Sequence, residues 1–173
     1  LIGYAGADSL NGGAGTDRAS YLFAGSGLTA DLILTGANTG EAAGDTYTSI
    51  ENLQGTKFDD DLRGNNGANE LSGLNGNDIL HGRGGDDTMR GGLGNDTFVF
   101  QDGFGTDTIE DFDALIAAEK IDLQAVSAIT DFADLNSNHL SIAGSDTLIT
   151  DGADTIRLKN VAIGDLDAGD FIF

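Results

Sequence analysis

Residues 55–99 read GTKFDDDLR, GNNGANELS, GLNGNDILH, GRGGDDTMR and GGLGNDTFV, which are five consecutive nine-residue repeats without a gap. Each repeat begins with Gly, has Asp or Asn at position six and has one large apolar residue at position eight. Two further copies, GYAGADSLN and GGAGTDRAS, occupy residues 3–20. A flexible Gly-rich linker is the alternative interpretation, but a linker needs no apolar residue at a strict spacing. The repeat therefore predicts a stacked solenoid.

Each repeat predicts a six-residue turn followed by a three-residue strand. Glycine at positions one, two and four permits positive φ and close approach of other atoms. Side chains alternate along a strand, so position eight points inward while positions seven and nine point outward. One repeat cannot bury its apolar residue alone, so two repeats should form a coil and the coils should stack. The expected inward-facing residues are Leu10, Leu62, Leu71, Leu80, Met89 and Phe98.

The turns combine oxygen atoms that suit a hard divalent cation. Backbone carbonyls and the carboxylate at position six are ligands that Ca²⁺ prefers, and we expect about four or more ions. Equivalent turns recur every 18 residues on one side of the stack, so a cation fits between one turn and the turn two repeats later. The expected partners are Asp60 with Asp78, Asn69 with Asp87, and Asp78 with Asp96.

The predicted metal ligands are position-six side chains, turn carbonyls and two acids that follow the regular repeats. Asp107 is displaced by two residues and should face Asp87, while Asp111 either closes a final site or is exposed. Residues 20–54 interrupt the repeat, so Asp17 lacks a regular partner turn, and ligation by Asp31, Asp45 and Glu51 is left open. The complete set is Asp8, Asp17, Asp60, Asn69, Gly73, Asn75, Gly76, Asp78, Gly82, Gly84, Gly85, Asp87, Gly91, Leu93, Gly94, Asp96, Asp107 and Asp111.

The repeats resemble the nonapeptide GGxGxDxUx of the RTX, or hemolysin-type calcium-binding, family, and GGLGNDTFV and GGAGTD match it closely. The resemblance extends to the C-terminal β-roll regions of serralysin-type proteases and to the R-modules of mannuronan C-5 epimerases. It implies an all-β, right-handed parallel β-roll with Ca²⁺ in its turns. It also implies secretion by a type I apparatus and folding outside the cell. The final residues GDFIF resemble the tail of type I secretion substrates, or they form an ordinary last strand.

The domain organisation follows from where the repeat stops. We predict a roll over residues 1–118, with irregular coils at about 20–54, regular repeats at 55–99 and a last turn at 101–109. A non-repetitive, β-rich cap should follow at 119–173, because the open end of a stack must be covered. Within it we expect Thr130 to cap a helix over residues 131–136, with strands at 139–143, 147–150 and 155–159. Leu1 stands nine residues before Leu10, which predicts that the piece begins inside a longer array.

The composition excludes several classes of partner. With 8 basic and 29 acidic residues the net charge is −21, which disfavours nucleic acids and anionic membranes. There is no Cys for a disulfide and no run of 18 apolar residues for a membrane span. High charge with few large apolar residues predicts disorder without a counter-ion. We therefore expect a monomer that depends on bound Ca²⁺, and the resemblance to the RTX family implies that it is secreted and extracellular.

No enzyme motif such as HExxH, GxSxG or a P-loop is present, so no catalysis is expected within these residues. Three functions remain. The first is a calcium-triggered folding module at the C-terminal part of a larger type I-secreted protein. The second is a carbohydrate-binding module of a secreted enzyme that modifies an alginate-like polysaccharide, with Arg63 and His81 on one face of the roll and Arg90 on the other. The third is the terminal region of a large RTX adhesin.

Overall fold

The computed structural model describes residues 1–115 and 118–173, so residues 116 and 117 of the predicted roll lie outside the described residues. It is an all-β structure with one short α-helix, α1 at Phe132–Asp134. Four of the seven repeats give three-residue strands, as the repeat predicts, and the other three give strands of five or six residues. The strands are β1 Ser9–Asn11, β2 Arg18–Ser20, β3 Thr29–Asp31, β4 Thr46–Thr48, β5 Asn52–Gln54, β6 Asp61–Arg63, β7 Glu70–Asn75, β8 Ile79–His81, β9 Thr88–Leu93, β10 Thr97–Gln101, β11 Thr106–Ile109, β12 Lys120–Ala125, β13 Leu140–Ala143, β14 Asp146–Asp151, β15 Asp154–Leu158 and β16 Phe171–Ile172.

Successive repeats contribute strands alternately to two sheets, which makes the fold a parallel β-roll. The first sheet has the order β16-β12-β10-β8-β6-β3, and all its neighbours are parallel. The second sheet has the order β13-β14-β15-β11-β9-β7-β5-β2 and is parallel except where β14 meets β13 and β15. Strands β1 and β4 form a separate parallel pair.

The strand register confirms the predicted spacing. Asp61 pairs with Ile79, and Ile79 with Thr97, each 18 residues further along the chain. In the second sheet Thr88 pairs with Thr108, which is the expected displacement by two residues. The predicted inward-facing residues are all buried and belong to one apolar cluster between the sheets.

The segment 20–54 makes a detour that the sequence did not reveal. Strand β3 lies beside β6, while β4 lies beside β1, so the chain advances along the roll and then returns. The sequence LTADLIL at 28–34 predicts a strand over this whole stretch, whereas β3 covers only Thr29–Asp31. The Asp31 carboxylate accepts hydrogen bonds from the amides of Ile33 and Leu34, which ends the extended conformation.

The C-terminal segment extends both sheets. Strand β12 pairs with β10, β15 pairs with β11, and β16 pairs with β12, all in parallel. The proposed boundary between roll and cap therefore stays a prediction, since the sheets continue across it. The expected cap residue of α1 is wrong: Asp131, not Thr130, accepts the hydrogen bond from the Asp134 amide. In the described part of the chain, no helix has the length and apolar character needed to cross a membrane.

Candidate metal centre

The position-six side chains of the five regular repeats and the side chain of Asp107 are buried between stacked coils. In four stacked pairs, the backbone amide of one of these residues donates to Oδ1 of its counterpart in the next coil. This contact brings together the predicted partners and places Asp107 against Asp87. The donors, acceptors and distances are Asp60 to Asp78 (2.9 Å), Asn69 to Asp87 (2.8 Å), Asp78 to Asp96 (2.9 Å) and Asp87 to Asp107 (2.8 Å).

The second carboxylate oxygen of four of these residues is buried without a partner. Oδ2 of Asp78, Asp87, Asp96 and Asp107 has no hydrogen-bond donor among the described residues. Leaving a buried polar atom unpaired is costly, and much more so when the group is charged. Four such atoms at equivalent positions of one array indicate a ligand that the protein chain itself does not supply.

The unpartnered oxygens of Asp78, Asp87 and Asp96 lie close to the position-one glycines of their own repeats. A Cβ atom built on Gly73 would lie 2.1 Å from Asp78 Oδ2 and 2.7 Å from the carbonyl oxygen of Gly91. The same atom on Gly64 would lie 2.2 Å from Asn69 Oδ1 and 2.8 Å from the carbonyl oxygen of Gly82. Side-chain and carbonyl oxygens from two stacked turns thus converge where only glycine leaves room. This all-oxygen donor set fits Ca²⁺.

Burial sets the electrostatics of these acids. Desolvation, together with the negative charges of Asp60 and Asp96, raises the pKa of Asp78 to about 7. Desolvation likewise raises the pKa of Asp87 to about 6 and that of Asp107 to about 8. With pKa values this high, the stacked carboxyl groups are not all ionised near neutral pH unless a positive charge lies nearby.

Within residues 1–115 and 118–173, no three His, Cys, Asp or Glu side chains form a cluster that could hold a metal ion. The turn sites do not require such a cluster, because each combines one or two carboxylates with backbone carbonyls. The predicted carbonyl ligands lie in the stacked turns or beside them, and their coordination of Ca²⁺ stays a prediction. Gly73, Asn75, Gly91 and Leu93 differ from expectation in lying within β7 and β9, and the Leu93 carbonyl already accepts a hydrogen bond from the Gly76 amide.

The turn glycines allow the coils to stack in contact. Gly94 has a φ of +145°, and a Cβ there would lie 1.8 Å from the carbonyl oxygen of Gly76. Gly76 in turn has a φ of +123° and would place a Cβ 2.5 Å from the Phe58 carbonyl. Gly76 and Gly94, both at position four, are therefore required by steric contact between turns as well as by backbone conformation.

The first regular repeats differ from the later ones. Both carboxylate oxygens of Asp60 have protein donors: Oδ1 accepts from the Leu28 amide at 2.9 Å and Oδ2 from the Thr56 amide at 2.6 Å. Asn69 Oδ1 accepts a hydrogen bond from the Asn65 amide, and Asn69 Nδ2 donates to the Glu51 carbonyl. These two predicted ligands therefore already have partners in the protein, unlike the four acids that follow them.

The turns before the interruption use different acids as partners. The Asp8 amide donates to Asp45 Oδ1 at 2.7 Å, and the Asp17 amide donates to Glu51 Oε2 at 2.9 Å. Asp45 and Glu51 thus occupy the place of a position-six residue two repeats later, although no repeat surrounds them in the sequence. Asp17 therefore does have a partner turn, an irregular one supplied by the returning chain.

The last turns contain one acid that the sequence did not single out. Glu119 precedes β12, whose Lys120 pairs with Thr97, so Glu119 lies at the level of Asp96. It is buried, and desolvation together with the charges of Asp96 and Asp111 raises its pKa to about 7. The sequence signal that could have identified Glu119 is its place directly before KIDL at 120–123, where polar and apolar residues alternate. Asp111 is half-buried and accepts from the amides of Gly91 and Gly92, so the exposed alternative is wrong.

Comparison with known proteins locates the same repeats. The family model of the RTX calcium-binding nonapeptide repeat matches residues 1–19, 46–78 and 63–98, in four copies. No curated protein sequence matches the chain.

Solved structures resemble the chain as well, among them two modules of one epimerase and a lipase. The R3 subunit of an Azotobacter vinelandii mannuronan C5-epimerase is 28% identical, with 68% of this chain and 79% of that chain covered and a TM-score of 0.47. The R2 subunit is 22% identical, with 92% of each chain covered and a TM-score of 0.47. The extracellular lipase LipA of Serratia marcescens is 16% identical, with 95% of this chain and 34% of the lipase covered and a TM-score of 0.48.

Proposed function

The chain contains RTX calcium-binding nonapeptide repeats in residues 1–19 and 46–98, and we propose on that basis that it is a module whose folding is driven by Ca²⁺. The observation that carries the proposal is the set of four buried carboxylate oxygens without a protein partner. Each belongs to a stacked turn, and those of Asp78 and Asp96 each lie against the position-one glycine of their own repeat. Ca²⁺ bound there would supply the missing positive charge.

The energy of binding is large enough to control folding. Extracellular calcium modules bind with a Kd of about 10⁻⁴ to 10⁻³ M. At ten times Kd, one site adds about 1.4 kcal/mol to the free energy of unfolding. Four sites would add about 6 kcal/mol, which is comparable to the total stability of a small domain. At micromolar calcium this contribution vanishes, while the net charge of −21 continues to oppose compaction.

This dependence of folding stability on calcium concentration supports an extracellular role. We propose that the chain remains unfolded at the low calcium concentration inside a cell, passes through a type I secretion apparatus and folds outside as part of a larger protein. The module would have no catalytic role of its own. The terminal region of a large RTX adhesin would use the same chemistry, and domains preceding residue 1 would distinguish the two.

A calcium titration followed by circular dichroism tests the proposal. Millimolar Ca²⁺ should convert a disordered spectrum into a β spectrum, and EDTA should reverse the change. Equal Mg²⁺ should not reproduce it, because Mg²⁺ requires near-octahedral geometry and releases its water reluctantly. A β spectrum that is unchanged by EDTA, or equal potency of the two ions, would refute the proposal.

A second candidate function, binding of an alginate-like polysaccharide, is favoured by the outer face of the second sheet. This face has a depression of about 330 Å³ whose lining includes Glu70, Ser72, Thr88 and Arg90. Four of the eight basic residues of the chain lie on the strands of this sheet or directly beside them, namely Arg18, Arg90, Arg157 and Lys159. As expected, Arg63 and His81 are neighbours on the first sheet. Arg63 is paired with Asp61, and the four basic residues of the second sheet are likewise paired with acids.

Retention on immobilised alginate at low salt tests this second function. Arg90→Ala should weaken retention, whereas Arg63→Ala, which removes the same charge from the other sheet, should not. Absence of retention for the unmodified chain would exclude alginate as a ligand.

A further inference from the structure

Arg83 has an unusual conformation for a charged residue in a turn. It occupies position two of its repeat, where a later repeat has Gly92, and its φ is +78°. A side-chain-bearing residue with positive φ is uncommon and needs compensation. The side chain is only 16% exposed, although the residue lies in a surface turn.

The guanidinium of Arg83 holds together two distant parts of the chain. Nη1 and Nη2 donate to Oδ1 and Oδ2 of Asp31 at 2.9 and 2.7 Å, and the Asp31 side chain is fully buried. Nη1 also donates to the carbonyl oxygen of Gly64 at 2.5 Å. This two-point contact joins the end of β3 to two regular turns.

These partners are the oxygen types that converge in the candidate calcium sites. Gly64 is a position-one glycine, like Gly82 and Gly91, whose carbonyls lie beside position-six side chains. Unlike Asp78, however, Asp31 has donors for both carboxylate oxygens. Burial by itself would raise the pKa of Asp31, but hydrogen bonds from Arg83 and from the backbone outweigh it and lower the pKa.

Neighbouring side chains extend this contact through the irregular coils without a metal ion. The Asp31 amide donates to Asn38 Oδ1 at 2.8 Å, and Asn38 Nδ2 donates to the Tyr47 hydroxyl at 3.3 Å. The Tyr21 hydroxyl lies 2.6 Å from the Tyr47 hydroxyl and donates to Asp45 Oδ2, also at 2.6 Å. The network connects β3, the loop that follows it and β4.

We propose that Arg83 is a built-in cation whose guanidinium replaces a bound metal ion between the loop after β3 and the regular turns. This end of the roll then folds at a lower calcium concentration than the regular turns do. The proposal rests on the proposed binding of Ca²⁺ by the regular turns and adds that the contact between Arg83 and Asp31 needs no ion of its own.

Hydrogen exchange of the full chain during a calcium titration tests this. The amides of Ile33 and Leu34, which donate to Asp31, report on the Arg83 end, and the amide of Asp78, which donates to Asp96, reports on the regular turns. The first two amides should be protected at a lower calcium concentration than the third. Equal midpoints for the two regions would overturn the proposal.

Arg83→Gly isolates the role of the side chain, because glycine accepts a φ of +78° better than arginine does. At limiting calcium, exchange of the Ile33 and Leu34 amides should accelerate by more than about a hundredfold, the lower range for removing one partner of a buried ion pair. Arg90→Ala removes an equal charge from the second sheet and should leave the exchange of these amides unchanged.

Unchanged exchange in Arg83→Gly would overturn the proposal even if the wild-type midpoints differ. Failure of the underlying calcium function has a different signature: the Asp78 amide would show no dependence on Ca²⁺ in any variant.

Discussion

Replacing Asp78 by Asn should have opposite effects with and without calcium. Asp78 Oδ1 accepts the Asp60 amide, and Oδ2 has no partner. Asparagine keeps the first acceptor, removes the charge and replaces the second oxygen with an NH₂ group that cannot bind a cation. The variant should therefore be more stable than the wild type in EDTA and less stable in saturating Ca²⁺.

The structure supplies both magnitudes. Raising the pKa of Asp78 from 3.8 to about 7 corresponds to about 4 kcal/mol of disfavoured ionisation at pH 8. We take about half, 2 kcal/mol, because water outside the turn screens the charge. In the other direction, each calcium site lost at a hundred times Kd costs about 2.7 kcal/mol. Asp78 stands between two stacked turns, so the loss should be about 3–5 kcal/mol.

Urea unfolding at pH 8, followed by circular dichroism, measures both effects, with sucrose added to bring the calcium-free protein into range. Asp59→Asn is the matched control, since Asp59 is an exposed neighbour in the stacked turn two repeats earlier. Its Oδ1 accepts the Asn77 amide just as Asn77 Oδ1 accepts the Asn95 amide, so asparagine can replace it. A change of the same sign for Asp78→Asn in EDTA and in Ca²⁺ would refute the reasoning.

Three other perturbations test different parts of the model. In EDTA, the free energy of unfolding should fall as the pH rises from about 5 to about 8. The folded-state pKa values of residues such as Asp107 are raised, so protons that stabilise the folded state are released over this range. At fixed subsaturating Ca²⁺, a pH titration should instead show folding improving over the same range, because protons cease to compete with the ion. Gly76→Ala should destabilise the calcium-bound form in thermal unfolding by about 2 kcal/mol or more, since its Cβ would lie 2.5 Å from the Phe58 carbonyl. Gly67→Ala, also at position four, is the control: its Cβ would meet only the Asn65 side chain, at 3.3 Å, so this variant should be nearly neutral. Asp17→Ala should shift the calcium midpoint less than Asp78→Ala, because the Asp17 turn is paired with the irregular Glu51 turn; identical midpoints would contradict this.

The repeat itself made much of the fold predictable. A period of nine with an apolar eighth residue is a local pattern, and it determines which side chains point inward and which turns stack. The buried ladder of Leu62, Leu80 and Phe98 and the contact between Asp78 and Asp96 follow directly from it. Where the pattern is absent, prediction was weaker: β3 is shorter than expected, and Asp131 replaces Thr130 as the cap of α1.

By itself, then, the sequence determined the parallel roll, its period and the rows of acids along its turns, because these depend on residues nine or eighteen positions apart. Only the tertiary structure decided which of those acids lack a protein partner. Asp60 is satisfied by Thr56 and Leu28, while the equivalent oxygen of Asp78 is not. It also decided that Arg83 meets Asp31 across 52 residues. Such contacts depend on how the detour of residues 20–54 places its side chains against the repeats, and no local period encodes that.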